Sequence, residues 1–265
     1  MSAALDAVAR AAAIARSRAP GRTPILAIAG AQGSGKSTLA ADFCTRTPGA
    51  AHLALDDFYL TKQGRAELAR EAHPLFATRG VPGTHDIHLL GDTIGALMNA
   101  SPQTKTPLPR FDKVADDRKP SAQCGAFVGR PSLIVLEGWC LGASAAHERT
   151  LTEPINALER EEDADGAWRK RANQYLAGPY QDFFVCLDAI MFLAAPSFDA
   201  VLDWRCEQEA GLLGRALTSE DRARVARFVA HYERLTRHML AGGRRADIVV
   251  ALDKRRNVAS VRETT

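Results

Sequence analysis

Five short apolar runs punctuate the chain: Ile25–Ala29 (ILAIA), His52–Leu55 (HLAL), Leu133–Leu136 (LIVL), Ala189–Ala194 (AIMFLA) and Ile248–Leu252 (IVVAL). Each is shorter than a typical helix and rich in aliphatic residues, as a strand buried on both faces requires. Helical patterns lie between them. The clearest passes through Val225, Phe228, Val229, Tyr232, Leu235 and Met239, which draw one apolar stripe along a helix. Strands separated by helices predict an α/β three-layer sandwich with a mostly parallel five-stranded sheet. We read residues 1–265 as one domain. Within it, residues 1–22 form an N-terminal segment whose Ala-rich helix stops before Pro20 and Gly21. Residues 101–125, polar and holding four prolines, read as a long loop. Residues 143–182, highly charged around EREEDADGAWRKR, read as a helical insertion. The arginines of 222–237 read as a solvated helix face. No internal repeat is found.

Composition narrows the class. Of 265 residues, 46% are hydrophobic and 25% charged, which excludes wholesale disorder, collagen-like repeats and coiled coil. Lys and Arg number 34 against 31 Asp and Glu, a net charge of +3, too mild to point to nucleic acid or a membrane surface as partner. No apolar run approaches the ~18 residues of a membrane span. The N-terminus, rich in Ala and Arg and poor in acid, has some transit-peptide character but reads as an ordinary helix. The cysteines, at 44, 124, 140, 186 and 206, are odd in number and never form C-x-x-C. They suit reduced thiols in a cytoplasmic protein better than disulfides or a zinc knuckle.

The sharpest chemical signal is Gly30-Ala31-Gln32-Gly33-Ser34-Gly35-Lys36-Ser37, followed by Thr38. It matches G-x-x-x-x-G-K-S/T in full and sits between an apolar run and a helix-compatible stretch. Glycines let successive N–H groups turn inward around an anion, and the helix that follows aims its positive end at the same phosphates. Lys36 supplies a point charge and Ser37 a hydroxyl for Mg2+. The loop implies a nucleoside triphosphate, ATP in the simplest case, without saying what happens to it.

The second apolar run ends at Leu55-Asp56-Asp57-Phe58-Tyr59. Ligands of open parallel sheets sit beyond the carboxyl ends of the strands. One of these two carboxylates is placed to take a proton from an acceptor hydroxyl, and the other to hold a metal-bound water or a basic side chain. An Asp pair that merely caps the next helix is the plain alternative. The third run ends at Leu136-Glu137-Gly138, where Glu137 stands in the place of the usual Walker-B Asp, beside the cradle and near Mg2+.

Taken together, GAQGSGKST, LDDFYLT, RGVPGTHD (79–86), PRFDKVADDR (109–118), LEGWCLG (136–142) and WRCEQE (204–209) resemble the D-glycerate 3-kinase family, P-loop kinases related to uridine kinase, phosphoribulokinase and type I pantothenate kinase. The resemblance runs from about residue 24 to about residue 253. It implies Asp56 as the base and Asp57 as its neighbour, beside substrate or on the metal with Ser37 and Glu137. It places Tyr59, Arg79 and His85 at the acceptor, with Asp86 orienting His85, and makes Lys113 and Arg118 binders of carboxylate or phosphate. Phe111 departs from a tyrosine in the uridine kinase pattern and removes a hydroxyl there. WRCEQE resembles the mobile lid of these kinases and implies Arg205, with Arg215 as a weaker second, closing over the triphosphate.

The expected activity is transfer of the ATP γ-phosphate to a hydroxyl of D-glycerate, giving 3-phosphoglycerate. Asp56, Lys36 and Arg205 are the catalytic set, Mg2+ the metal, and a small hydroxy acid the partner of a cytoplasmic monomer or homodimer. The competing readings are a kinase for pantothenate or a nucleoside, a P-loop ATPase that regulates a partner, and an ATP-binding scaffold without catalysis.

Overall fold

Every residue of the first and third predicted strands is buried, so these strands occupy the middle of the sheet and take helices on both faces. In the computed structural model, which describes residues 2–264, the strands are β1 (Ile25–Gly30), β2 (Ala50–Ala54), β3 (Leu133–Gly138), β4 (Ala189–Ala194) and β5 (Ile248–Leu252). Met1 and Thr265, the ends of the expected domain, lie outside the described residues. The five strands run parallel in the order β5-β4-β1-β3-β2. A sixth, β6 (Val258–Glu263), pairs antiparallel with β5, so the sheet has six strands rather than the expected five. Its sequence, VASVRE, is half polar because an edge strand buries little, and it gives no apolar run. At the opposite edge β2 alternates buried and half-buried residues instead of being buried on both faces. Leu55, expected to end that strand, opens a single 3₁₀ turn over Leu55–Phe58 that carries both aspartates.

The pleat divides β1 between two cores. Leu26 and Ile28 pack with α1 (Ser2–Arg18), α2 (Lys36–Arg46) and α8 (Phe198–Leu213). Ile25, Ala27 and Ala29 face α4 (Ile87–Met98) and Trp139 on the other side. Small residues at the contact face, Ala7, Ala11, Ala12 and Ala15, let α1 lie close against the sheet. A long helix, α9 (Ser219–Leu240), closes both cores, with Val225 and Val229 in one and Tyr232 and Met239 in the other. It starts at a capping box, in which Thr218 and Asp221 satisfy each other's backbone N–H groups.

The charged insertion folds into α5 (Ala157–Glu162), α6 (Ala167–Tyr175) and, after a kink at Gly178 and Pro179, α7 (Gln181–Phe184). The α9 arginines are more than a solvated face. Arg234 makes a charge-assisted bond of 2.6 Å to buried Glu159, and Arg227 pairs with Glu162, so α9 holds the insertion. The 101–125 stretch is not wholly irregular. It contains a short ribbon, Phe111–Asp112 with Asp117–Arg118, and its Lys105–Pro107 pairs with Ala126–Val128. The first of these is fastened to the start of α3 (Lys62–Glu71), where the Lys62 N–H donates to Asp117, and to the turn after β2, where Asp57 accepts from Arg110 and the Phe111 N–H.

Between them runs the RGVPGTHD segment. Tyr59 and His85 form an isolated bridge with stacked rings, centroids 4.4 Å apart. His85 Nδ1 meets the Tyr180 hydroxyl at 2.7 Å, and Nε2 has no partner. Burial, only partly opposed by the Asp56 charge, lowers the His85 pKa to about 4. An unfolded chain takes up this proton near pH 6.5. Stability should therefore fall as pH drops from about 6.5 towards about 4, and level off below that, His85 alone contributing roughly 3 kcal/mol of the loss. Urea unfolding at intervals from pH 7.5 to 4 tests this: His85→Gln should show a shallower loss than the parent protein, and parallel curves would contradict the assignment.

Candidate active site

The loop between β1 and α2 turns through Gly33 and Gly35, both in the left-handed region at φ +75° and +86°. Gly33 is also required sterically, because a Cβ there would lie 2.7 Å from Trp204 Cβ of α8. The Ser34 N–H donates to the Ala31 carbonyl and closes the loop. Lys36 and Ser37 then open α2, and Ser37 Oγ donates to Glu137 Oε1 at 2.7 Å. Lys36 Nζ stands 3.9 Å from the other oxygen of the same carboxylate. Glu137 is 5% exposed, at the end of a central strand, and these partners compensate its burial.

The loop forms one wall of a cleft of about 810 Å³. Gln32, Gly33, Gly35, Lys36, Ser37 and Thr38 line it, and Asp56 lies on the same cleft. Lys113 Nζ donates to Asp56 Oδ2 at 2.6 Å and the Tyr59 hydroxyl to Oδ1 at 3.2 Å. Burial opposes ionisation of Asp56, but Lys113, Lys36 and the hydrogen bond outweigh it and hold the carboxyl well below the ordinary carboxylate range. Arg79 also lines the cleft. It pairs with Asp116, and its guanidinium lies 5.6 Å from the centre of the Phe111 ring, so Phe111, which lacks a hydroxyl, serves packing. Trp139, just after β3, and Tyr232 of α9 enclose the cleft.

Several expected residues have other work. The Asp57 carboxylate accepts from Arg110 and from the Phe111 N–H; it fastens the ribbon over β2 and is not among the groups lining the cleft, unlike the place expected for it beside the metal or substrate. Arg118 donates to the Tyr59 carbonyl at 2.7 Å and to Asp86 at 2.8 Å, again a fastening of the ribbon rather than a group facing the cleft. Asp86 caps α4 and does not orient His85, whose ring is fixed by Tyr180 and Tyr59. His85 is buried behind Tyr59. Arg215 pairs with Asp221 at the cap of α9.

Arg205 lines the cleft, but from within helix α8. It donates to Gln208 at 2.9 Å and Glu209 at 3.3 Å and lies over the Phe228 ring. Trp139, Phe228, Tyr232 and Arg256 are among the cleft residues that escaped the sequence reading as site residues. Phe228 and Tyr232 were visible only as part of a core stripe, and Trp139 only as part of a motif. Arg256, from the turn after β5, carried no signal in the sequence.

The arrangement combines an anion cradle, an ionised carboxylate and several cations on one cleft. That is what phosphoryl transfer to an alcohol needs, since positioning and charge supply most of its acceleration. No family model matches the chain. It is 32% identical over 225 residues to the uncharacterized kinase mug58 of Schizosaccharomyces pombe, covering 80% of this chain and 79% of that protein. It is 28% identical over 247 residues to the chloroplastic D-glycerate 3-kinase of Arabidopsis thaliana, covering 86% of this chain and 52% of the relative. The fold matches a solved D-glycerate 3-kinase from Cryptococcus neoformans with a TM-score of 0.75 at 21% identity, over 98% of this chain and 97% of that one. A kinase relative at this identity and coverage, met by the phosphate cradle and sheet order described above, places the chain among the P-loop kinases.

Proposed function

We propose that the protein transfers the γ-phosphate of ATP to a hydroxyl of D-glycerate, giving 3-phosphoglycerate. The observation that carries this reading is the ionised Asp56 on the same cleft as the Lys36 loop, with Arg79 and Lys113 beside it. The choice of glycerate draws on the named relatives, and the two cations suit an acceptor that bears a carboxylate.

In this reading the triphosphate lies along the loop amides and Lys36. The acceptor hydroxyl meets Asp56, which takes its proton as the new O–P bond forms and the bond to ADP breaks. Lys113 keeps Asp56 ionised for that task. Arg79 exchanges Asp116 for the acceptor's carboxylate, and its planar fork fixes that group in bidentate geometry. Lys36 and Arg205 oppose the charge that builds on the transferring phosphoryl oxygens. Ser37 and Glu137 form an oxygen pair of the kind Mg2+ prefers, and they would hold the ion next to the phosphates. An ion held by Ser37 and Glu137 would supply positive charge against the phosphate oxygens.

Among the described residues no helix is long and apolar enough to cross a membrane. The five cysteines are all free, which favours a reducing, cytoplasmic setting for the reaction.

Purified protein, offered ATP, Mg2+ and a panel of hydroxy acids, pantothenate and nucleosides, should phosphorylate D-glycerate best, with phosphate on the 3-hydroxyl by phosphorus NMR. ADP release at one rate with or without acceptor would overturn the proposal in favour of a regulatory ATPase. Asp56→Asn should lower kcat by ~10²–10⁴-fold, the usual worth of a general base, with ATP affinity nearly intact. Arg79→Ala should raise the KM for glycerate by about 10-fold or more, as expected for a lost charge-assisted pair, while the KM for ATP stays put. An unchanged acceptor KM would remove Arg79 from the pocket.

A further inference from the structure

The turn joining β5 to β6 is built around one carboxylate. Asp253 accepts from the N–H groups of Arg255 and Asn257, each at 2.8 Å, and from the Asn257 side chain at 3.0 Å. The turn holds Arg256 in the left-handed region at φ +65°, a conformation that costs a non-glycine residue free energy. What that backbone achieves is visible at the end of the side chain. Arg256 Nε donates to the Gly33 carbonyl of the phosphate loop at 2.7 Å, and its Nη2 donates to Glu207 of α8 at 2.7 Å. The guanidinium lies over the Trp204 ring, 5.1 Å from its centre, and the Trp204 indole N–H in turn donates to the Lys254 carbonyl at 2.8 Å.

Three parts of the cleft therefore meet at one planar group. The loop contributes Gly33, which has the freest backbone and is packed on Trp204. The helix contributes Glu207, within the same turn as Arg205 and its partners Gln208 and Glu209. A guanidinium bonds two acceptors in fixed directions and stacks at the same time, which an ammonium cannot do. Because Glu207 is exposed, its pair with Arg256 adds little affinity by itself, and its value lies in direction.

We propose that Arg256 is a positioning residue for the nucleotide. It pins the Gly33 peptide of the phosphate loop and ties it, through Glu207, to the helix turn that presents Arg205. This deepens the nucleotide reading of the cleft and does not depend on which acceptor is used.

The test compares the parent protein with Arg256→Ala, Arg256→Lys, Glu207→Gln and the Arg256→Ala/Glu207→Gln double variant. ATP with Mg2+ is titrated by calorimetry, and KM and kcat are measured with D-glycerate. Arg256→Ala should weaken ATP binding and raise the KM for ATP by about 10-fold, a typical worth for a bond involving a charged group. The KM for glycerate should remain within about twofold, the margin left by a change that spares the acceptor side. Arg256→Lys should recover part of the affinity. The double variant should bind ATP like Arg256→Ala, because one side chain carries both contacts. Native ATP affinity in Arg256→Ala overturns the proposal, as does equal damage to both KM values. Should Arg256→Ala fail to fold, Arg256→Lys decides: intermediate ATP affinity at native melting temperature supports the proposal, and native affinity overturns it. Parent protein that binds ATP but leaves glycerate untouched refutes the acceptor reading alone, whereas parent protein that binds no ATP refutes both.

Discussion

A carboxylate at the end of a fully buried strand must find partners inside the protein, and Glu137 finds them in Ser37 and Lys36. The pair joins the end of β3 to the start of α2. Parallel register does the rest: Glu137 stands opposite Ile28 of β1 and Ala54 of β2, so the phosphate loop leaves the sheet on one side of it and the Asp56 turn on the other. The distance between cradle and carboxylate is thus set by strand spacing rather than by any flexible loop.

The electrostatics of the cleft follow one plan. Each cation facing it touches an acid of the chain: Lys36 with Glu137, Lys113 with Asp56, Arg79 with Asp116, Arg205 with Glu209 and Arg256 with Glu207. Anionic ligands entering the cleft would compete for cations that are already oriented, so little side-chain ordering is left to accompany binding. The pairs also keep the charges tolerable in a partly desolvated space, where an unpaired one would shift its protonation or its position. Phe228 serves the same end through packing, lying beneath both Arg79 and Arg205.

How far the sequence discloses this depends on the range of each interaction. The phosphate loop is legible because its chemistry is local: glycines, a lysine and a serine between an apolar run and a helix. The central strands are legible because burial on both faces leaves a continuous apolar run. The strand end points to the Asp56–Asp57 pair, and only the family resemblance singles out Asp56. Asp57 and Arg118 look equally suited to the site, and only contacts more than 50 residues away in sequence, to Arg110 and Tyr59, show that they anchor a ribbon. Strand β6 is silent because an edge asks little hydrophobicity of it. Arg256 is silent because its signal is a backbone angle and a stack, neither of which has a sequence pattern.

The central claim is that one cleft brings a nucleotide and a small alcohol together across Lys36 and Asp56. A crystal structure with a non-hydrolysable ATP analogue, Mg2+ and D-glycerate addresses it directly. The account predicts the 3-hydroxyl oxygen about 2.6–3.2 Å from an Asp56 oxygen, within hydrogen-bond reach, and about 3–3.5 Å from the γ-phosphorus. Glycerate seated elsewhere, or held with its hydroxyl turned away from Asp56, would contradict it.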